Sequence, residues 1–339
     1  MNSKNNKPLD LMTGNGTSTP SINLQRRQST IGAVAWMATR GAPLSVSSAG
    51  AIALLGVSPS ALSQTAPSAT VDLLRAPAWL EIADKRVPLA AGAMVTALQT
   101  VVTGEGARVV LKFPEGSLIA LGANSRLTLE SLAYSKTAGE SLFSAAIKVA
   151  IGTLRYVTAA AEKLNGRNRR VSVSTATATI GIRGTRFWAQ SNAQHEVVCL
   201  FEGKVDIERS NESLAVLDAP NAFWTAPAGQ AASPISIATP EQLRGFGGQV
   251  AAPEGSGLAK PGGGFSIANS VWLESRANAL AAQLAELGYA ATVAPCASGA
   301  ANMYDVTVGS LASADDARAV AAQLGNLVKR SFELVEAAK

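Results

Sequence analysis

Arg108-Val-Val-Leu-Lys-Phe113, Pro114-Glu-Gly-Ser117, Leu118-Ile-Ala-Leu121, Gly122-Ala-Asn-Ser125 and Arg126-Leu-Thr-Leu129 follow one another without a break. Three short apolar runs are separated by turn residues, and each run is too short for a helix. Short runs bounded by Gly, Pro, Asn and Ser predict strands. Such strands bury an apolar side only by stacking on neighbours, so the expected architecture is a β-solenoid or a compact sandwich. The same alternation extends from Ala78 to about Ala232, with little helical periodicity.

Working outward, further short motifs recur in order. Thr103-Gly-Glu-Gly-Ala-Arg108, Phe113-Pro-Glu-Gly-Ser117 with Leu121-Gly-Ala-Asn-Ser125, Ile180-Gly-Ile-Arg-Gly-Thr185-Arg-Phe187 and Phe201-Glu-Gly-Lys-Val205 resemble the successive signatures of the FecR family across residues 85–232. Residues 64–84 form a lead-in. Thr175-Ala176 stands where the family usually has Thr-Pro. The resemblance implies a periplasmic, strand-built domain that acts by protein contact and has no chemistry of its own. Arg183, Gly184 and Thr185 are read as mainly structural, although a guanidinium at a sheet edge can clamp a carboxylate or backbone carbonyls. His195 reads as a surface or strand-cap residue, with no serine or acid placed to make it a base. FecR-type proteins relay a signal from an outer-membrane receptor to a sigma factor. That role needs a cytoplasmic anti-sigma segment and a membrane helix, and residues 1–30 are short and polar for it.

Residues 233–263 are rich in Gly, Pro, Ala and Gln and end in Lys260-Pro-Gly-Gly-Gly264, which reads as a flexible linker. A second domain follows, over residues 264–337. Ala281-Ala-Gln-Leu284 recurs as Ala321-Ala-Gln-Leu324. Ala277, Leu280, Ala281, Leu284 and Leu287, and likewise Ala317, Val320, Ala321 and Leu324, fall on one face of a helix each. Ser313 with Asp316 makes a capping-box-like start for the second helix. Strand-like runs at Phe265–Val271, Tyr289–Val293, Met303–Val308 and Val328–Val335 complete the order β-α-β-β-α-β. That order predicts an α+β domain: a four-stranded antiparallel sheet with both helices on one face and the other face open. Arg276-Ala-Asn-Ala279, Leu287-Gly-Tyr289, Tyr304-Asp-Val-Thr-Val-Gly309 and Asp316-Ala-Arg318 resemble a SPOR domain. The resemblance implies binding of peptidoglycan glycan strands stripped of their peptides, on the open sheet face. Alternation along Tyr304–Val308 turns Val306 and Val308 to the helices and Asp305 and Thr307 into the groove. In the first strand the family's Gln-containing signature is replaced by Phe265-Ser-Ile-Ala-Asn-Ser270, where Ser266 or Asn269 supplies the polar contact. Trp272 either stacks on a sugar ring or covers the strand–helix junction.

Composition narrows the chemistry. The 339 residues are 47% hydrophobic but hold one histidine and two cysteines, Cys199 and Cys296. This inventory offers no zinc-ligand pattern and no disulfide framework, and no metal or cofactor is expected. Cys199 reads as a small core residue, with a pairing to Cys296 as the alternative. The net charge of +5 invites a nucleic-acid reading. Residues 1–63, however, contain Lys4, Lys7, Arg26, Arg27 and Arg40 against Asp10. Taking these five and one from totals of 29 basic and 24 acidic residues leaves 24 against 23, which argues against nucleic acid as a partner. Residues 1–63 read as an export segment in which Arg26-Arg27 opens a weakly apolar core and resembles a twin-arginine signal. Gln25 precedes the pair, Ser29 and Thr30 follow it, and Arg40 interrupts the core. Ala61-Leu62-Ser63 provides small residues for a cut before Gln64. A disordered tail or an uncleaved anchor at Gly41–Val57 is the competing reading; no membrane helix is expected in the mature chain.

The leading expectation is therefore an exported, periplasmic, non-enzymatic envelope protein. Its FecR-like domain contacts an unknown envelope protein and its SPOR-like domain binds glycan strands. A signalling or assembly partner using the SPOR fold as a protein-contact module, or a FecR-type sigma-factor regulator, is the alternative. An envelope enzyme is disfavoured by the lack of paired-carboxylate, serine–histidine or cysteine–histidine constellations.

Overall fold

The computed structural model describes residues 66–137, 140–159, 168–296 and 299–336. The expected export segment, its arginine pair and the cut before Gln64 lie outside the described residues. The chain runs through short strands β1 (Ala69–Arg75), β2 (Ala78–Ile82), β3 (Lys85–Pro88), β4 (Met94–Val95), β5 (Gln99–Thr103), β6 (Arg108–Lys112) and β7 (Leu118–Leu121). Then come β8 (Arg126–Thr137), β9 (Glu140–Val157), β10 (Arg169–Ser174), β11 (Ala178–Ser191), β12 (His195–Arg209), β13 (Ala215–Leu217), β14 (Ala222–Pro227) and β15 (Ser236–Ile237).

The three longest strands each serve two sheets. The first part of β9 pairs with β8 and with β10, and its last part pairs with β7 and with β11. Likewise β11 and β12 pair along their whole length, but β12 takes β13 beside one end and β14 beside the other. One sheet thus reads β3-β2-β5-β8-β9-β10-β11-β12-β13 and the other β1-β6-β7-β9-β11-β12-β14-β15. Among the described residues every ladder is antiparallel except β9–β10. Where β11 and β12 cross from one sheet to the other, their register shifts between Arg183 and Arg186. Gly203 sits there at φ +90°, and a Cβ on it would lie 2.6 Å from the Gly184 carbonyl oxygen. Only glycine permits this approach. The Arg-Gly-Thr and Phe-Glu-Gly-Lys-Val motifs are therefore the two sides of one crossing.

Inward side chains of both sheets, among them Ile119, Leu127, Phe143, Ile147, Tyr156, Ile180, Phe187 and Leu200, join one buried cluster. Burying each large apolar side chain stabilises the fold by about 1.5–3 kcal/mol. One charge pair lies within it. Arg169 reaches Glu115 at 3.1 Å, with both side chains almost wholly buried. Arg169 also donates to Ser117 Oγ at 2.9 Å and to the Tyr156 hydroxyl, and lies 4.9 Å over the Phe143 ring. Burial pushes the Glu115 carboxyl above its ordinary range, opposed by Ser117 and Arg169.

The segment read as a flexible linker is instead built into the structure. Its helix α1 (Pro240–Val250) opens with a capping box between Thr239 and Gln242 and has proline in its first turn. Leu243, Phe246 and Val250 fall at i, i+3, i+7, the spacing of a buried stripe that the Gly- and Ala-rich composition disguises. That stripe lies on the outer side of the second sheet, where Phe246 stacks on Trp188 at 4.1 Å. Cys199 is buried beneath it, and desolvation pushes its thiol up to about 11. No disulfide joins Cys199 to Cys296, so the alternative of a pairing between them is not realised.

After β16 (Leu258–Ala259) come β17 (Phe265–Trp272), α2 (Glu274–Glu286), β18 (Thr292–Pro295), β19 (Met303–Leu311), α3 (Ala314–Val328) and β20 (Glu333–Glu336). The strands pair antiparallel in the order β18-β19-β17-β20. Ala277, Leu280 and Leu284 of α2 and Ala317, Val320 and Leu324 of α3 are buried with Ile267, Val271, Val306 and Val308. Val328 belongs to α3 rather than to the strand expected there. Lys329, in the left-handed conformation, ends the helix, and the strand starts at Glu333.

The two strand-bearing regions are joined through β16. This strand pairs with β1 on one side (Leu74–Ala259, Arg75–Leu258) and with β19 on the other (Ala259–Leu311). Asp316, 1% exposed, pins it: Oδ1 accepts from the Gly257 and Leu258 amides at 3.0 and 2.9 Å, and Oδ2 accepts from Ser313 Oγ at 2.6 Å. Nearby, the Trp79 indole donates to the Ala285 carbonyl at 3.2 Å, and the Ala78 amide donates to Gly288. A Cβ on Gly288, at φ +80°, would meet the Trp79 ring at 2.7 Å.

Candidate functional site

The side of the β17–β19 sheet away from α2 and α3 is the candidate surface. Strand alternation decides which residues reach it. Ile267 and Val271 are buried against the helices, so Ser266, Ala268, Ser270 and Trp272 turn the other way. Val306 and Val308 are buried likewise, which turns Asp305 and Thr307 to the same side as Ser270 and Ala268, their cross-strand partners. Asn269 is the exception among the expected contacts. It shares its side with Ile267 and Val271, and its Nδ2 donates to the Ser331 carbonyl at 2.7 Å. Ser266 and Asn269 differ by an odd number of positions, so one strand cannot aim both into a groove.

The surface carries a residue that motif reading missed. Ser270 Oγ donates to Asp305 Oδ1 at 2.6 Å, which ties the central acid to a neighbouring hydroxyl. Ser270 shares the parity of Ser266 and Trp272, and that signal was present in the sequence. Trp272, the last residue of β17, is 60% exposed. The next residue, Leu273, is also exposed and has φ +70° and ψ 131°, a conformation that side-chain-bearing residues rarely adopt. The Leu273 amide is held by the Asn302 carbonyl at 2.8 Å. Strain and an exposed indole therefore coincide at one end of the face.

Beside this face, Thr292 and Thr307 border a cleft of about 220 Å³ that is also lined by Val308 and Val320 from the helix side and by Leu74, Leu89 and Ala91 of the strand-rich region. Tyr289 also borders it; burial pushes its hydroxyl up to about 12, with Arg75 opposing.

Of the Arg183-Gly184-Thr185 element, Arg183 projects into solvent with its side chain 82% exposed, 3.9 Å from Asp206. Gly184 takes φ +62° at the crossing. Thr185 is fully buried, and its amide donates to Thr158 Oγ1 at 3.0 Å. Among the described residues no three His, Cys, Asp or Glu side chains are grouped to hold a metal, and no helix is long and apolar enough to cross a membrane.

The FecR protein family model matches residues 99–206, and the SPOR domain model matches residues 269–332. A search of curated proteins returns no match. Two crystal structures of a candidate anti-sigma factor from Parabacteroides distasonis, at 1.65 and 2.50 Å resolution, are similar at 13% and 12% identity. Each covers 70% of this chain and 99% of its own, with a TM-score of 0.35. The chain carries a FecR domain followed by a SPOR domain.

Proposed function

We propose that this is an exported, non-enzymatic cell-envelope scaffold whose SPOR sheet face binds peptidoglycan glycan strands while the FecR domain contacts an envelope protein. The observation that carries the reading is the exposed Trp272 at the strained end of a face that also presents Ser266, Ser270, Asp305 and Thr307. An indole offers a flat apolar platform for a pyranose ring, and Ser266, Ser270, Asp305 and Thr307 offer donors and acceptors for its hydroxyls. Asp305 and Glu333 place carboxylates on the same side of the sheet, where they can accept from sugar hydroxyls. Export to the periplasm, by the twin-arginine route, and recruitment to remodelled septal wall follow from this reading.

The test is co-sedimentation of Gln64–Lys339 with sacculi, with or without prior amidase treatment. Selective pelleting with treated sacculi, reduced at least about five-fold by Trp272→Ala, is expected. Equal absence from both pellets overturns glycan binding. It would favour the second reading, a protein-contact SPOR module, which the Asp305 carboxylate already bonded to Ser270 supports.

A further inference from the structure

The FecR domain has a second cleft, unrelated to any motif. It lies on the outer side of the second sheet, beside α1, and has a volume of about 440 Å³. Its floor follows from register. Gln190 of β11, Val197 of β12 and Thr225 of β14 are adjacent across three strands, and His195 pairs with Pro227 one step along. On the same strands Phe187, Val198 and Trp224 point into the core, so these residues point out. Helix α1 packs over the neighbouring row, through Phe246 on Trp188, and reaches the far end of this row, where Thr153 Oγ1 donates to Gln249 Oε1 at 3.1 Å; Gln242 and Phe246 form one wall of the cleft.

The chemistry of the lining is specific. Gln190, Gln194, His195 and Thr225 supply amide, imidazole and hydroxyl groups, and none of these side chains bonds to another described residue. Phe223 and Phe246 supply ring surface between them. Among the described residues no Lys, Arg, Asp or Glu lines the cleft. Uncharged donors and acceptors converging around aromatic faces match a ligand that is itself uncharged, rich in hydroxyls and apolar on one flat side. In β11 and β12 both backbone edges are already paired here, so neither strand offers an edge for an added peptide.

We infer that this cleft is a saccharide site: a neutral sugar ring stacks on Phe223 and Phe246 while Gln190, His195 and Thr225 bond its hydroxyls. The volume falls within the roughly 300–1,000 Å³ of small-molecule sites and holds one or two pyranose rings. The site is separate from the SPOR face and does not depend on the function proposed for that face.

His195 is the single histidine of the chain, so its imidazole proton signals report the cleft without assignment of anything else. The experiment titrates Gln64–Lys339 carrying Trp272→Ala, to silence the other face, with chitotetraose and separately with cellotetraose, followed by proton NMR. A saturable shift of the His195 signals with a Kd at or below about 5 mM is expected for at least one probe. Gln190→Ala and Thr225→Val should each weaken it at least about five-fold while leaving the amide spectrum of the core unchanged. No shift at about 20 mM of either sugar overturns the proposal, as does a shift that both substitutions leave intact. A shift produced by an unrelated tetrapeptide but by neither sugar would assign the cleft to protein instead.

Discussion

Replacing Asp316 by alanine should release the strand that joins the two domains. The carboxylate is 1% exposed and accepts three hydrogen bonds, two of them from consecutive amides next to or within β16. Removing it leaves those amides without a partner in a dry site, at about 1–3 kcal/mol each. The terms are not additive, because β16 can peel outward and regain water, so the expected loss is about 3 kcal/mol at the junction. That corresponds to roughly a 100-fold fall in the protection of the Gly257 and Leu258 amides against hydrogen exchange. The assay is exchange followed by mass spectrometry on peptides spanning residues 255–262. The strands of the FecR core serve as the internal reference for global unfolding. Asp315→Ala is the control, since the side chain of Asp315 is 77% exposed and its ion pair with Arg318 contributes little. Protection at residues 257–258 that stays within about three-fold of wild type in Asp316→Ala would refute the assignment of this carboxylate as the pin.

Three further outcomes follow from the packing. Gly288→Ala places a Cβ 2.7 Å from the Trp79 ring at a positive φ; a destabilisation of about 1–3 kcal/mol in urea, with altered tryptophan emission, is expected, and an unchanged midpoint would contradict the contact. Glu115 carries a carboxyl held above its ordinary range by burial, so the folded chain holds that proton more tightly than the unfolded chain. Its contribution to stability is present below the unfolded value of about 4.3 and is lost as pH rises through the raised folded value. As pH rises above the unfolded value the wild type should therefore lose stability relative to Glu115→Gln, and a constant difference in urea denaturation would refute the burial argument. Finally, Cys199 is buried with its thiol raised to about 11. Iodoacetamide at about pH 8 should leave it unmodified in the folded protein and label it only after denaturation; prompt native labelling would show that α1 does not cover it.

What the sequence disclosed depended on how local the cause was. Turn residues between Arg108 and Leu129 announced the short strands because a turn needs only its own residues. The apolar stripes of α2 and α3 were legible for the same reason. The opposite orientation of Asn269 and Trp272 was also present, in the parity of their positions. The sharing of β9, β11 and β12 between two sheets was not legible, since it rests on Gly203 approaching the Gly184 carbonyl across a register shift that no local pattern reveals. The segment 233–263 misled because its Gly, Pro and Ala content outweighed three well-spaced apolar residues in α1. The second cleft went unread because Gln190, His195 and Thr225 come from three strands and share no motif.

The short strand β16 changes how the protein would engage two targets at once. A free chain of 31 residues has a root-mean-square span of about 30 Å and would let the second target be found anywhere within that reach. Zipped between β1 and β19, the same stretch replaces a diffuse cloud of distances by one spacing and one orientation. Avidity then becomes a matter of geometry: sites on two targets at the matching spacing are bridged with little further loss of entropy, and sites at any other spacing are bound one at a time.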